Sequence, residues 1–357
     1  MKFNADRIGI TEACKLLNVS RPTFNAYRIK FKLRKSNDGR KLFFSRQEIL
    51  MKIPPKIVGS SIDLSIVDDA TTAEIMIAEG VYDLRKINLI DPHGILSLLC
   101  SVISKAMEGG PVQLLIKDSF LIQQLHSLGF FHELERTRRK NIVWDRSVLK
   151  GLASMDTDTF LPIQYIGHKG GERQSSENLI RLLIRHGFSE DIGGNIGWIF
   201  GELADNSLTH SKGPCYLMCQ RFITPTRDDL NYLAIAVADL GVGIRGSLRT
   251  NPKYAGLGDK EALITAFKSN VSSWSDEYKR GKGLTDVLSI FLGNYSYFRV
   301  DSGNMAFRID WEKQAKILKP MCDVAGTRHS IVLTDGKFDK INRDTANSFV
   351  DGLIGTI

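Results

Sequence analysis

Glu202, Asn206 and His210 recur at intervals of four. On an α-helix that spacing lays a carboxylate, a carboxamide and an imidazole along one stripe. The chemistry such a stripe suits is that of a metal–phosphate site. A carboxamide oxygen can ligate Mg2+, which favours oxygen ligands and keeps several waters and substrate phosphates around it. A carboxylate one turn earlier can orient or deprotonate an attacking water. The helix that must carry these groups is signalled by Ile192, Ile196, Ile199 and Leu203, apolar at helical intervals on a neighbouring stripe. A Glu and an Asn four apart also describe many solvated helix faces, so the weight falls on what the later chain adds.

Three later segments add to it. Leu233–Ala238 reads as a buried strand that runs into Asp239-Leu240-Gly241-Val242-Gly243. An Asp at a strand end, followed by two glycines, puts an acceptor where the backbone can turn sharply against a ligand. Arg280-Gly281-Lys282-Gly283-Leu284 then opens an apolar helical run through Val287, Leu288, Ile290 and Phe291. Glycines ahead of a helix offer backbone N–H groups and the positive dipole end to a phosphate. Gly326-Thr327 precedes an expected short strand, Ser330–Leu333.

In this order the segments resemble the GHKL superfamily of ATP-binding domains, which spans gyrase B, heat-shock chaperone, histidine-kinase and mismatch-repair ATPase domains. Glu202-x-x-Asp205-Asn206-Ser207 resembles its N box, and Asp239-x-Gly241-x-Gly243 its first glycine box. Gly281-Lys282-Gly283-Leu284 resembles the second glycine box and Gly326-Thr327 the last motif; together the likeness covers residues 175–335. The resemblance implies an α/β sandwich (Bergerat fold) over residues 160–357, with ATP and Mg2+ as ligands. It implies that Asn206 ligates Mg2+ and that Asp239 accepts from the adenine amino group. Gly241, Gly243 and His210 would belong to the same nucleotide site. Gly281, Lys282, Gly283 and Leu284 would cradle phosphate, Thr327 would contact the adenine region, and Glu202 would be the water-activating base. Histidine kinases usually lack a Glu there, whereas hydrolytic members and anti-sigma serine kinases have one.

Charge divides the chain differently. Residues 1–56 hold 14 Lys+Arg against 4 Asp+Glu, a net +10, while the remainder holds 34 against 36, a net −2. A basic excess confined to one small module is the footprint of nucleic-acid binding. Ile10–Leu17 reads as a short helix, Asn18–Ser20 as a turn, and Ser20 and Pro22 as the start of a second helix with Phe24, Tyr27 and Ile29 buried. Lys35–Lys41 reads as a hairpin tip, Leu42–Phe44 as a strand, and Ser45–Leu50 as a third helix. The pattern resembles the winged helix-turn-helix of the mercury-regulator and excisionase class. It implies duplex DNA as partner, with the second helix in the major groove. Arg21, Thr23, Asn25 and Arg28 are the base-facing candidates, and Arg40 and Lys41 the wing contacts. The bland alternative is a protein-docking module with solvated charges.

Pro54-Pro55 marks the next boundary. Between residues 60 and 148 the sequence alternates strand and helix, with strands expected at Val81–Leu84, Ile87–Ile90 and Val112–Ile116. Apolar helices are expected at Ile95–Ile103 and Phe120–Leu125. This pattern resembles a STAS domain, the fold of anti-anti-sigma factors. That family carries a phosphorylatable Ser or Thr at the turn before the central helix; here the turn is Asp91-Pro92-His93-Gly94, without a hydroxyl. The departure favours a scaffold or protein-docking role, with His93 as a cap or packing residue. The run Arg136, Arg138, Arg139, Lys140 reads as a solvated edge.

The whole is therefore expected to be a multi-domain α/β protein: a winged helix-turn-helix (1–56), a STAS-like α/β domain (60–148) and a C-terminal GHKL-type α/β sandwich (160–357). A composition of 43% hydrophobic and 25% charged residues is ordinary for a chain with real cores. No apolar run approaches the ~18 residues of a membrane span, and Met1–Asp6 shows no signal-peptide core. Five scattered cysteines, Cys215 and Cys219 among them, read as buried thiols and point to a reduced, cytoplasmic setting. The expected function is that of an ATP-binding, Mg-dependent DNA-binding regulator, with ATPase activity. Its alternative is an anti-sigma-type protein serine kinase acting on a partner. An ATP-gated DNA clamp ranks below both, because such clamps need a further domain supplying a lysine and 30 residues follow Thr327. No membrane association is expected; homodimerisation is left open.

Overall fold

A computed structural model describes residues 7–16, 21–30, 33, 35–38, 41–45, 57–58, 61–62, 76–85, 87, 90–116, 119–152, 160–211, 213–223, 231–268, 270–271, 283–294, 296–309, 313–319, 323–334 and 343–354. The N-terminal part runs β1 (Arg7–Gly9), α1 (Ile10–Leu16), α2 (Arg21–Lys30), β2 (Lys35–Asp38) and β3 (Lys41–Ser45), the strands pairing antiparallel in the order β1-β3-β2. Ala13, Phe24, Leu33 and Phe44 form its buried centre, with Phe24 edge-on to Phe44 at 5.3 Å. Ile29, expected inside, is instead 72% exposed. Phe24 sets the buried face of α2, and five residues on, at 100° each, Ile29 has rotated about 140° away from it. The expected turn at 18–20, the helix at 46–50 and Pro54-Pro55 lie outside the described residues. A two-residue pair, β4 (Ile57–Val58) with β5 (Ser61–Ile62), follows.

Next comes a four-stranded sheet in sequence order: β6 (Met76–Ala78), β7 (Val81–Asp83), β8 (Val112–Leu115) and β9 (Ile142–Val143). The first pair is antiparallel and the other two are parallel. Parallel neighbours need crossovers, and helices supply them. α3 (Pro92–Met107) joins β7 to β8, while α4 (Ser119–Ser127) and α5 (Phe130–Arg136) join β8 to β9. Of the strand expected at 87–90, Asn88 and Leu89 lie outside the described residues, and neither Ile87 nor Ile90 is in a strand. Ile87 and Ile90 are buried ahead of α3, whose first turn is fixed by Asp91 accepting from Gly94 N–H at 2.7 Å, with Pro92 just inside.

The C-terminal part holds a seven-stranded sheet in the order β10-β11-β12-β16-β13-β14-β15, antiparallel at every pairing. Its strands are β10 (Phe160–Ile166), β11 (Cys215–Ile223), β12 (Asn231–Asp239), β13 (Ser296–Gly303), β14 (Met305–Ile309), β15 (Ala315–Leu318) and β16 (Val324–Thr334). Its helices are α6 (Gly171–Arg185), α7 (Glu190–Asn206), α8 (Gly243–Leu248), α9 (Asp259–Thr265), α10 (Gly283–Gly293) and α11 (Arg343–Ile354). β16 is longer than the strand expected at 330–333 and takes in Gly326-Thr327.

Both faces of this sheet are buried. Leu233, Ile235 and Val237 join a core with Ile199, Phe200 and Leu203 of α7. Their alternating neighbours Ala236 and Ala238, with Tyr216 and Met218, join a second core with Leu98, Leu99 and Val102 of α3. Strand residues alternate between faces, so a sheet covered on both sides reads as an unbroken apolar run. Small alanines on the α3 side let that helix approach closely. The chain is thus mixed α/β, and no described helix is long and apolar enough to cross a membrane.

Candidate functional site

α7 is built to present its C-terminal turn. Ser189 caps it, its hydroxyl accepting from Ile192 N–H at 3.3 Å, and Glu190 and Asp191 favour the positive end of the dipole. Gly197 lets α7 press against α6, because a Cβ there would collide with the Ile180 side chain.

Asn206 Nδ2 donates to Glu202 Oε1 at 3.3 Å, so the pair shares a face as the spacing required. The α-helix ends at Asn206, and one π turn takes Ser207–Ser211. His210 therefore lies on a π turn rather than on the α-helix expected for it. Thr209 Oγ1 donates to Asp205 Oδ1 at 3.3 Å and ties the π turn back to α7. Burial raises the Glu202 pKa, Asp205 and Asp286 raise it further, and the Asn206 amide opposes them.

Asp239, at the end of β12, is 1% exposed. Its Oδ1 accepts from Gly241 N–H at 2.9 Å and from Thr327 N–H at 3.2 Å. Burial pushes the carboxyl up to about 6, against the pull of those N–H groups and the Ser211 and Ser207 hydroxyls. Gly326, at φ 76°, is forced: a side chain there would run into the Asp239 carbonyl. The structure thus joins residues 88 positions apart in the chain, Asp239 and Thr327, through one carboxylate oxygen. Gly241 lies in the turn between β12 and α8, and Gly243, which opens α8, backs onto the Ser302 hydroxyl.

Two further groups were not anticipated from the sequence. Ser302 Oγ accepts from Ile244 N–H at 2.9 Å and donates to Gly326 O at 3.1 Å, pinning two glycine turns to β13. Asp286, 5% exposed on α10, sets a second carboxylate near Glu202. Neither position carries a motif; a Ser in a strand and an Asp in a helix are ordinary until the fold brings them here. Gly283 opens α10 and Leu284 packs against the helix-side core. Arg280, Gly281 and Lys282 lie outside the described residues.

The other expected sites are placed more thinly. In α2, Arg21 is exposed and Asn25 and Arg28 are half-buried; Thr23 is in the helix and Lys41 in β3, and Arg40 lies outside the described residues. Arg138, Arg139 and Lys140 form an exposed edge, but Arg136 does not belong to it. Its Nε donates to Glu133 Oε2 at 2.6 Å, its Nη2 donates to the Tyr216 hydroxyl at 3.2 Å, and its guanidinium lies over the Tyr165 ring. Cys215 and Cys219 are fully buried, and burial pushes both thiols up. Comparison with protein-family models and with curated proteins finds no match for the chain.

Proposed function

We propose that the chain is an ATP-binding, Mg-dependent regulator that binds DNA, its nucleotide state controlling the hold on DNA or on a protein partner. The observation that carries the reading is the buried Asp239 carboxylate at the end of β12, drawn together with Gly241 and Thr327 and reached by the Ser207 and Ser211 hydroxyls of the π turn that follows the Glu202–Asn206 pair. In this reading Asp239 accepts from the adenine amino group and Thr327 lies beside it. The chemistry of the donors fits the cation. Asn206 spends its N–H on Glu202, which leaves its carbonyl oxygen as the ligating atom. Among the described residues no group of three or more His, Cys, Asp or Glu could hold a metal. An ion beside Asn206 would therefore rely on phosphate oxygens and waters, as Mg2+ commonly does. When bound, Mg2+ would neutralise charge on the phosphates. Glu202, its pKa raised by burial, suits a base for water, and Gly281 to Leu284 would complete the phosphate cradle.

The same proposal takes residues 160–357 as a GHKL-type sandwich, residues 60–148 as a STAS-like docking domain and residues 1–56 as a winged helix-turn-helix. Arg21, Thr23, Asn25 and Arg28 then face bases, and Arg40 and Lys41 phosphates. The serine-kinase alternative keeps Glu202 as the base. It draws less support, because the turn that would carry an acceptor hydroxyl presents His93 instead, 4% exposed. The test is calorimetric titration with ATP and Mg2+, alongside phosphate release with and without duplex DNA, for the wild type and Asp239→Asn. Asn presents an NH2 where an acceptor is needed, so the variant should lose ATP binding while its thermal unfolding is retained. Equal affinity in the two proteins would sink the nucleotide assignment.

A further inference from the structure

Ser302 and Asp301 are consecutive residues of β13, so their side chains leave opposite faces of the sheet. Ser302 reaches the nucleotide side, where it holds Ile244 and Gly326. Asp301, 1% exposed, points to the side covered by α3, where its Oδ2 meets His93 Nε2 at 3.2 Å. Arg299 grips the same carboxylate, with Nε at 2.9 and 3.0 Å from its two oxygens. Burial pushes the Asp301 carboxyl up, but Arg299 and His93 overcome it and hold the group at about 2. On the neighbouring strand β16 the pattern repeats. Arg328, opposite Asp301, donates from Nη2 to Ser101 Oγ of α3 at 3.1 Å, while Thr327, opposite Ser302, donates its N–H to Asp239. The polar contacts between α3 and the sheet are thus made by the residues next in chain to those that hold the glycine turns.

We propose that His93 is a positioning residue for the nucleotide site. Its bond to Asp301 fixes β13 against α3, and the next residue, Ser302, passes that placement to the turn at Gly243-Ile244 and to Gly326. The turn that lacks the acceptor hydroxyl thus has a positive role, coupling the middle domain to the ATP site. The proposal rests on the nucleotide reading for its functional consequence, though not for its geometry. Coupling between sites is reciprocal, so nucleotide binding should in turn tighten α3 on the sheet.

The test uses the full chain with His93→Phe, His93→Gln, Ser302→Ala and the double variant His93→Phe/Ser302→Ala. Amide exchange over residues 241–246 is measured without nucleotide, and ATP affinity by calorimetry. His93→Phe, which keeps bulk and removes the bond, should speed exchange in that turn and weaken ATP on the order of tenfold, the loss of one charge-assisted bond. His93→Gln, which can still donate to Asp301, should restore most of both. The double variant should lose little more than Ser302→Ala alone, because the two act along one path. Exchange in the turn that is unchanged in His93→Phe, or faster equally throughout the chain, overturns the positioning role. So does additive loss in the double variant. If the wild type binds no ATP, the nucleotide reading falls, and the exchange measurements still decide whether His93 positions the turn.

Discussion

The C-terminal sheet and the N-terminal module place their polar groups in opposite surroundings. At the sheet, Asp239, Asp301 and Arg299 are nearly or fully buried, and each has partners at hydrogen-bond distance. In the N-terminal module the exposed face of α2 shows Arg21 and Pro22 to solvent together with Ile29, and the basic excess is spread over 56 residues. Buried groups act through geometry and desolvation, so each substitution has a large and local effect. Exposed charges act through a screened field, so each counts for little and salt tunes the sum. A site of the first kind suits one small ligand; a surface of the second kind suits a long polyanion.

Substitutions can sharpen or break that contrast. The largest effect is expected from Glu202→Ala, which should keep ATP binding and slow hydrolysis ~10²–10⁴-fold, the usual cost of removing a general base. Wild-type turnover in single-turnover assays would reduce Glu202 to a half-buried structural carboxylate. Next is Asp301→Ala, which strands the Arg299 guanidinium without its carboxylate. Breaking a buried pair in this way typically costs about 3–5 kcal/mol. Denaturant unfolding should show it, whereas Arg21→Ala on α2 should stay within about 0.5 kcal/mol of the parent.

The two buried aspartates should also respond to pH with opposite signs. Asp239 titrates at about 6 in the fold, above its usual 3.8, so folding favours its protonated form. Its contribution to stability is present below the unfolded value and lost as pH rises through about 6. Asp301 titrates at about 2, so its contribution is present above 3.8 and lost as pH falls through about 2. An adenine amino group needs the ionised Asp239, and ATP affinity should therefore fall towards tenfold per pH unit below about 6. Calorimetric titrations at pH 7, 6 and 5 check this; a flat profile would mean that Asp239 does not face the base.

How much of this was legible in the sequence follows the same divide. The apolar rhythm of Ile192, Ile196, Ile199 and Leu203 gave α7, and the face-sharing of Glu202 and Asn206 came with it. Asp239 with Gly241 and Gly243 was legible because a buried acceptor beside a sharp turn leaves few residue choices. The π turn that carries His210 was not legible, because nothing local marks the switch from α to π at Asn206. Ile29 faces solvent because Phe24 sets the buried side of a short helix, and hydrophobicity alone does not encode the rotation between them. Ser302, Asp301 and Asp286 were missed for one reason: their roles arise from strand register and cross-chain contact, which periodicity does not encode. His93 was seen, but as a cap or packing residue. Its partner Asp301 lies 208 positions away, in a strand whose pairing only the folded sheet reveals.

The smallest single-residue effect, and the one that tests the exposed half of the comparison, is in DNA binding. If Arg40 and Lys41 alone contact phosphate, the slope of log K against log[salt] should be about −1.8; if Arg21 and Arg28 contact phosphate as well, it should be about −3.6. Arg21 is exposed at the start of α2, so Arg21→Ala should weaken binding on any sequence and flatten the slope by about 0.9 if it contacts phosphate. If it reads a base edge instead, the slope should hold and sequence preference should relax. Asn25→Ala has no charge to remove, so it should leave the slope alone and alter preference only. Across the same salt range ATP affinity should move far less, because the donors at Asp239 are fixed and buried. Fluorescence anisotropy on a specific and a scrambled duplex at several salt concentrations separates these outcomes. An ATP site as salt-sensitive as the DNA surface, or a chain without residues 1–56 that binds duplex as tightly as the whole, would erase the distinction between a buried site and a screened surface.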